Sequence, residues 1–338
     1  MIEQVIEKLL DKINLTGEEM QAAMQEIMTG KVADAQIVSF LSALKAKGET
    51  PDEITAAAQV MRRFAVKIKS KENIVIDTCG TGGDQSGTFN ISTISAFVVA
   101  GAGIAVAKHG NRSVSSRCGS ADLLEALGVN IDISADAVEK CLDEIGIGFL
   151  FAPKLHPAMK YAMPARRQIG TRTIFNILGP LTNPAGAAHQ ILGVFDKDLL
   201  EPLATVLNNL GVKHALIVHG LDGLDEVTTT TNTLVYEIKE RKIFSYEINP
   251  DDFSIPKANP EDLKGTDIDT NVEIANEILD AKKGPKRDIV LLNSACAIYA
   301  ADKAEDIRVA LKLAEKSIDS GKAKGKLEKL REFTKKIG

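Results

Sequence analysis

From Ile74 onward the chain alternates short apolar runs with helical stretches, and this alternation limits its fold more than any other feature. IVID (74–77), GIAVA (103–107), IGFLFA (147–152), ILGVF (191–195) and ALIVHG (215–220) read as buried strands. Between them lie SADLLEALG (120–128), ADAVEKCLDEIG (135–146) and LLEPLATVLNNLG (199–211), which carry apolar residues at helical spacing. Apolar strands separated by helices predict a mainly parallel central sheet with helices on both faces. In such a sheet the reactive loops belong at the carboxyl ends of the strands.

The first seventy residues contain helices only. Ile2, Val5, Ile6, Leu9, Leu10 and Ile13 recur at helical spacing, and Thr16 with Glu19 has the form of a capping box for the next helix, which Gly30 ends. A third amphipathic stretch runs through Ile37, Phe40, Leu41 and Leu44 to Gly48. Thr50, Pro51 and Glu53 then supply an N-cap, an N1 proline and an N3 acid for a fourth. The expected organisation is a small all-helical N-terminal lobe, residues 1–70, joined by helices from about 165–187. Residues 71–338 form the large α/β domain.

Toward the C-terminus, TTTTNTLVYEIKERKIFSYEI (228–248) reads as a polar β-ribbon, and the lysine-rich tail GKAKGKLEKLREFTKK (321–336) as a solvated helix face. The net charge of −5 gives no basic face of the kind nucleic-acid binding needs. Cys79, Cys118, Cys141 and Cys296 lie far apart with no zinc-type spacing, which fits a reducing compartment. The N-terminus MIEQVIEKLLDKI carries acids throughout its apolar pattern, unlike a signal peptide, and no run of about twenty apolar residues marks a membrane span. A cytoplasmic protein without membrane or nucleic-acid partners is expected.

Function concentrates in DTCGTGGDQSGTFNIST (77–93), which lies between an expected strand and an expected helix. Glycine-rich backbone at such a junction, with the helix N-terminus behind it, suits a phosphate. The dinucleotide fingerprint fails because Gln85 stands where its third glycine belongs, and no Walker lysine follows Gly87. A second junction, KHGNRSVSSRCGS (108–120), adds Lys108 and Arg112 as cations, Gly110 and Gly119 as open backbone, and several serines. Two such loops at neighbouring strand ends point to a polyphosphate ligand.

These stretches resemble the anthranilate phosphoribosyltransferase family. The matching segments are GTGGD (80–84), FNIST (89–93), KHGNRSVSS (108–116), GSADLLEALG (119–128), FLFAPKLHPAMK (149–160) and RTIFNILGPLTNPA (172–185). The resemblance covers nearly the whole chain and implies a nucleoside phosphorylase-like fold. It also implies transfer of the 5-phosphoribosyl group from phosphoribosyl pyrophosphate to anthranilate, the second step of tryptophan biosynthesis from chorismate. By position, it assigns phosphoribosyl pyrophosphate to Gly80, Gly83, Asp84, Thr88, Asn90, Ile91, Ser92, Thr93, Lys108, His109, Gly110, Asn111, Arg112, Ser113, Val114, Ser115, Ser116 and Ser120. Anthranilate falls to Gly80, Asn111 and Arg166, whose guanidinium fork suits a carboxylate.

Asp225 and Glu226, assisted by Ser92, match the family's magnesium ligands, with two Mg2+ ions per subunit implied. No certain acid-base residue emerges; Lys108, Asn111 and the metal would stabilise the transition state, and for His109 and His156 a structural or positioning role is expected ahead of proton transfer. Arg167 should point to solvent. The resemblance further implies a homodimer built through the helical lobe. Two rival readings share the fold. A pyrimidine nucleoside phosphorylase would use the glycine loop for free phosphate, and a non-enzymatic nucleic-acid-binding relative should lack the acidic pair.

Overall fold

The computed structural model describes residues 1–84, 86–113 and 118–337. Four helices come first: α1 (Ile2–Leu10), α2 (Gly17–Met28), α3 (Asp34–Lys47) and α4 (Pro51–Phe64). The capping boxes at Thr16/Glu19 and Thr50/Glu53 both form, so each cap satisfies amide groups that the first helical turn leaves unpaired. Glu53 does more than cap. Buried, it accepts the Leu15 amide at 2.8 Å and pairs with Lys47 at 2.9 Å, tying α4 to α3 and to the segment between α1 and α2.

The large domain follows as β1 (Val75–Gly80), α5 (Ile91–Gly101), β2 (Ala105–Gly110), α6 (Ser120–Ala126), α7 (Ala135–Lys140), β3 (Ile147–Phe151), α8 (Ala152–Leu155), α9 (Met163–Ile169), α10 (Phe175–Leu178), β4 (His189–Gly193), α11 (Leu200–Asn209) and β5 (His214–Gly220). Next come the hairpin β6 (Thr233–Lys239) and β7 (Lys242–Ile248), then α12 (Ile268–Leu279), α13 (Pro285–Ala300), α14 (Ile307–Asp319) and α15 (Lys322–Lys336). The seven strands form one sheet in the order β3-β2-β1-β4-β5-β6-β7. Pairing is parallel from β3 to β5 and antiparallel through the hairpin.

The expected fold class is therefore the observed one, with differences in detail. The ribbon is not separate, because β6 pairs along the whole of β5 and extends the sheet; Glu240 and Arg241 turn the hairpin with φ of 50° and 65°. The strand expected at 103–107 runs Ala105–Gly110, since pairing with β3 continues to Gly110 opposite Phe151. Lys108, His109 and Gly110 thus belong to a strand, not a loop. The helix expected at 135–146 ends α-helical hydrogen bonding at Lys140 and closes with a π turn, Cys141–Ile145. The tail is not solvated all round: Ala323, Leu327, Leu330 and Thr334 of α15 are buried against the core.

Two apolar clusters lie on opposite faces of the sheet. One contains Ile76, Val106, Ile191, Leu216 and Val218 with α5, α13, α14 and α15. The other joins Leu192, Val194, Ala215, Ile217 and Ile238 to α11 and to the apolar faces of α1–α4, α9 and α10. The N-terminal helices bury Ile2, Val5, Leu9, Met20, Met24, Ile27, Phe40 and Leu44 within this one chain. Those faces are therefore not standing free for a partner; Leu10 and Ile13 remain exposed. Among the described residues no helix is long and apolar enough to cross a membrane.

Candidate active site

The order in which strands are added reverses between β1 and β4: after β1 the strands add outward on one side, and β4 returns to the other. In open parallel sheets a crevice forms where this happens, at the carboxyl ends. Both strands end in glycine, and both glycines make room for Asp225. A Cβ on Gly80 would lie 2.8 Å from Asp225 Oδ2, and one on Gly193 would overlap the Asp225 carbonyl. The loop after β5 therefore lies directly across the crevice.

The glycine-rich turn is held by this acidic loop. Gly82 N donates to Asp225 Oδ2 at 2.9 Å, and Gly82, Gly83 and Gly87 have φ of 67°, 80° and 68°, a region in which a Cβ is disfavoured. Ser86 N donates to Asp84 Oδ1, while Asp84 Oδ2 is buried and has no hydrogen-bond partner among the described residues. Thr88 and Ser86 share a hydroxyl contact at 3.1 Å. Glu226 Oε1 accepts the Ser92 amide at 3.1 Å, in the first turn of α5. The helix terminus expected to face phosphate thus already stabilises a carboxylate.

Asp225 and Glu226 open partly to the crevice and are walled by protein elsewhere. Burial raises the pKa of each above the ordinary carboxylate range; the next cause is the charge of Asp84 at Asp225, and that of Asp225 at Glu226. Lys108 is buried and points beneath the turn, its Nζ donating to Thr78 O at 2.6 Å and to Ser92 Oγ at 3.3 Å. Burial lowers its pKa, against the nearby charges of Asp77, Cys79 and Glu226. The charge of Asp84 reaches both Asp225 and Glu226, and carboxyl oxygens crowded in this way suit a hard divalent ion. Among the described residues no three His, Cys, Asp or Glu side chains gather into a metal cluster, so hydroxyl and ligand oxygens would complete the coordination of such an ion.

Val114, Ser115 and Ser116 lie outside the described residues; on either side of 114–117 the second loop is held by hydrogen bonds and ion pairs. Asp122, in the first turn of α6, accepts the amides of Ser113 at 3.1 Å and Gly119 at 2.9 Å. Arg112 pairs with Asp122 and Glu125. Asn111 is exposed, and its carbonyl accepts Ser120 Oγ at 3.2 Å. Beneath, Asp77 accepts His109 N at 3.1 Å and Asn183 Nδ2 at 2.7 Å, and burial raises its pKa to about 6.

The His109 and His156 rings lie 5.0 Å apart between centroids, tilted by 45°. His109 Nδ1 donates to Gly179 O at 3.2 Å, and the Nε2 of each ring is buried without a partner among the described residues. Burial is the main cause that lowers them, His109 to about 3 and His156 to about 4, so both rings are neutral. Arg166 lies on α9, over the Phe175 ring at 5.4 Å and 3.8 Å from Met163 Sδ. It has no carboxylate partner among the described residues, whereas Arg167 is exposed as expected. Ile91 and Thr93 are buried in the first turn of α5.

Several residues in this arrangement were given no role from the sequence, although some lie within the segments quoted above. Arg172 donates to Gly83 O and lies over the Phe195 ring at 3.6 Å, bracing the glycine turn from the segment after α9. Asp77, Asn183 and Asn271 are further examples; Asp77 and Asn183 lie in quoted segments, whereas Asn271 lies outside all of them.

Similarity to known proteins agrees with this geometry. The sequence profile described as "Glycosyl transferase family, a/b domain" matches residues 72–324, and that described as "Glycosyl transferase family, helical bundle domain" matches residues 3–65. The anthranilate phosphoribosyltransferase of Desulfosudis oleivorans is 52% identical over 339 residues, covering 100% of both chains. The chain belongs to the anthranilate phosphoribosyltransferase family. Among solved structures of this family, the enzyme from Thermus thermophilus superposes with a TM-score of 0.93 at 40% identity, covering 98% of this chain and 99% of that one. The Saccharomyces cerevisiae enzyme in complex with PRPP and Mg gives a TM-score of 0.92 at 27% identity, covering 99% and 98%.

Proposed function

We propose that the protein transfers the 5-phosphoribosyl group of phosphoribosyl pyrophosphate to the amine of anthranilate, the second step of tryptophan biosynthesis from chorismate. The amine nitrogen bonds to C1 of the ribose, the bond from C1 to the pyrophosphate oxygen breaks, and the nitrogen releases its proton to solvent. The observation that carries this reading is the acidic cluster Asp84, Asp225 and Glu226 at the strand ends, in a chain that matches these enzymes end to end.

In this reading Gly80, Gly83, Asp84, Thr88, Asn90–Thr93, Lys108–Ser116 and Ser120 surround phosphoribosyl pyrophosphate. Arg166, unpaired with any carboxylate among the described residues, takes the carboxylate of anthranilate beside Asn111 and Gly80. Asp225, Glu226 and Ser92 would hold magnesium, two ions per subunit. Bound there, magnesium supplies positive charge to the departing pyrophosphate. The rest is alignment: neutral histidines and buried Lys108 shape the crevice, and no side chain needs to exchange a proton with the nucleophile.

A homodimer through residues 1–70 and a cytoplasmic location complete the reading, the latter supported by four cysteines without disulfides. The test is loss of anthranilate fluorescence that requires both phosphoribosyl pyrophosphate and magnesium. Asp225→Asn with Glu226→Gln should keep the fold, lower activity strongly and raise the magnesium requirement. Parental magnesium dependence in that double variant would remove the pair from the site. Phosphorolysis of thymidine in the same assay series would favour the phosphorylase instead.

A further inference from the structure

The segment that precedes and opens α12 runs alongside the glycine-rich turn, although some 180 residues separate them in sequence. Phe89 N donates to Leu263 O at 3.2 Å, and Gly265 N to Gly87 O at 2.9 Å. Lys264 Nζ reaches Ser86 O at 2.8 Å, and a Cβ on Gly265 would come within 2.5 Å of Phe89 Cα. At the end of this contact stands Asn271, 1% exposed on the first turn of α12.

The orientation of its amide follows from its partners. Asn271 Oδ1 faces the backbone N–H of Asn90 at 2.9 Å, which can only donate, and Asn271 Nδ2 faces Asp267 O at 2.7 Å, which can only accept. The same oxygen accepts from Asn90 Nδ2 at 3.2 Å, and the other proton of Asn90 Nδ2 goes to Cys118 O at 3.1 Å. Both donors of the Asn90 side chain are therefore spent inside the protein. What half-buried Asn90 has left for a ligand is its carbonyl oxygen, an acceptor. Phosphate oxygens at neutral pH are acceptors too, so the complementary group is a ribose hydroxyl.

We propose that Asn271 is a positioning residue that turns the Asn90 amide so that it accepts a hydrogen bond from a ribose hydroxyl of the phosphoribosyl donor. The same Asn90 amide joins the two loops, since its other proton goes to Cys118 O at the end of the second loop. The proposal rests on the reading that Asn90 contacts phosphoribosyl pyrophosphate.

Steady-state kinetics of the full chain test it with Asn271→Ala, Asn271→Asp, Asn90→Ala and the double alanine variant. Losing one oriented hydrogen bond should raise the KM for phosphoribosyl pyrophosphate about tenfold in Asn271→Ala, with kcat and the anthranilate KM within about twofold. Asn271→Asp keeps the acceptor for Asn90 and loses only the donor to Asp267, so its KM should return to within about twofold of the parent while its Tm falls like that of the alanine variant. In the Asn90→Ala background, Asn271→Ala should add nothing to the KM. Calorimetry with magnesium present should show Asn271→Ala weakening ribose 5-phosphate and leaving pyrophosphate unchanged.

An unchanged donor KM in Asn90→Ala would overturn the reading of Asn90 itself. A shifted KM in Asn90→Ala but not in folded Asn271→Ala would overturn only the role of Asn271. Asn271→Asp conserves volume and decides the matter if the alanine variant does not fold: a KM raised as far as in Asn90→Ala contradicts the proposal.

Discussion

Single residues in the crevice hold charge states unlike those of the same side chains in water, and this has measurable consequences. His109 and His156 stay neutral in the fold down to about pH 3 and about pH 4, whereas the unfolded chain protonates histidine near 6.5. Because the folded state refuses protons that the unfolded state accepts, their contribution to stability is complete above about pH 6.5. It is lost as the pH falls toward the folded values. His156→Gln should therefore lose about 1 to 2 kcal/mol less than the parent between pH 7 and pH 5, read from denaturant midpoints. Equal losses would mean that His156 charges freely in the fold. Arg166→Ala should raise the anthranilate KM far more than the donor KM, because it removes a charge-assisted contact worth about 1.5–3 kcal/mol. An unchanged anthranilate KM would remove Arg166 from the acceptor site.

Secondary-structure elements meet at the crevice through their glycines. β1 and β4 can pass under the loop after β5 only because Gly80 and Gly193 have no Cβ. Gly193→Ala should move the Asp225 backbone and lower kcat/KM by about 100-fold, the scale on which small misplacements cost catalysis. Its circular dichroism should stay that of a folded chain, and full activity would show that the loop accommodates the methyl group. Gly17, at the start of α2, has open space and an ordinary φ, so Gly17→Ala should be neutral or stabilising by about 0.5 kcal/mol in a thermal melt. The caps of α2 and α4 were legible in sequence because Thr, Pro and Glu act within one turn. The buried face of α15 was not legible, because its lysines dominate the composition while only Ala323, Leu327, Leu330 and Thr334 carry the contact.

Across the whole molecule, one apolar cluster runs without interruption from α1 through α4 and α11 to one face of the sheet. Arg62 on α4 strengthens the join, donating from Nε to Leu181 O at 2.8 Å and from Nη1 to Leu210 O at 3.4 Å. A lobe that shares its core with the sheet should not melt alone. Calorimetry should give one endotherm for the chain, and two resolved transitions would show the lobe to be autonomous. A dimer through the lobe would rest on surfaces such as Leu10 and Ile13, since the other apolar faces are already covered. Light scattering at micromolar concentration tests that state, and a fully active monomer would contradict it.

By itself the sequence determined the alternation of strands and helices, the four leading helices and the glycine turn, since each is written in the spacing of neighbouring residues, whereas the acidic pair stood out only through the family resemblance. Tertiary structure decided what those parts face. It placed Lys108 in a strand and under the turn, set Glu226 on the first turn of α5, and brought Asn271 to Asn90 and Arg172 to Gly83. Each of these contacts joins groups that no local period relates. They form because a parallel sheet gathers the carboxyl ends of distant strands on one edge, where polar groups excluded from water must find one another.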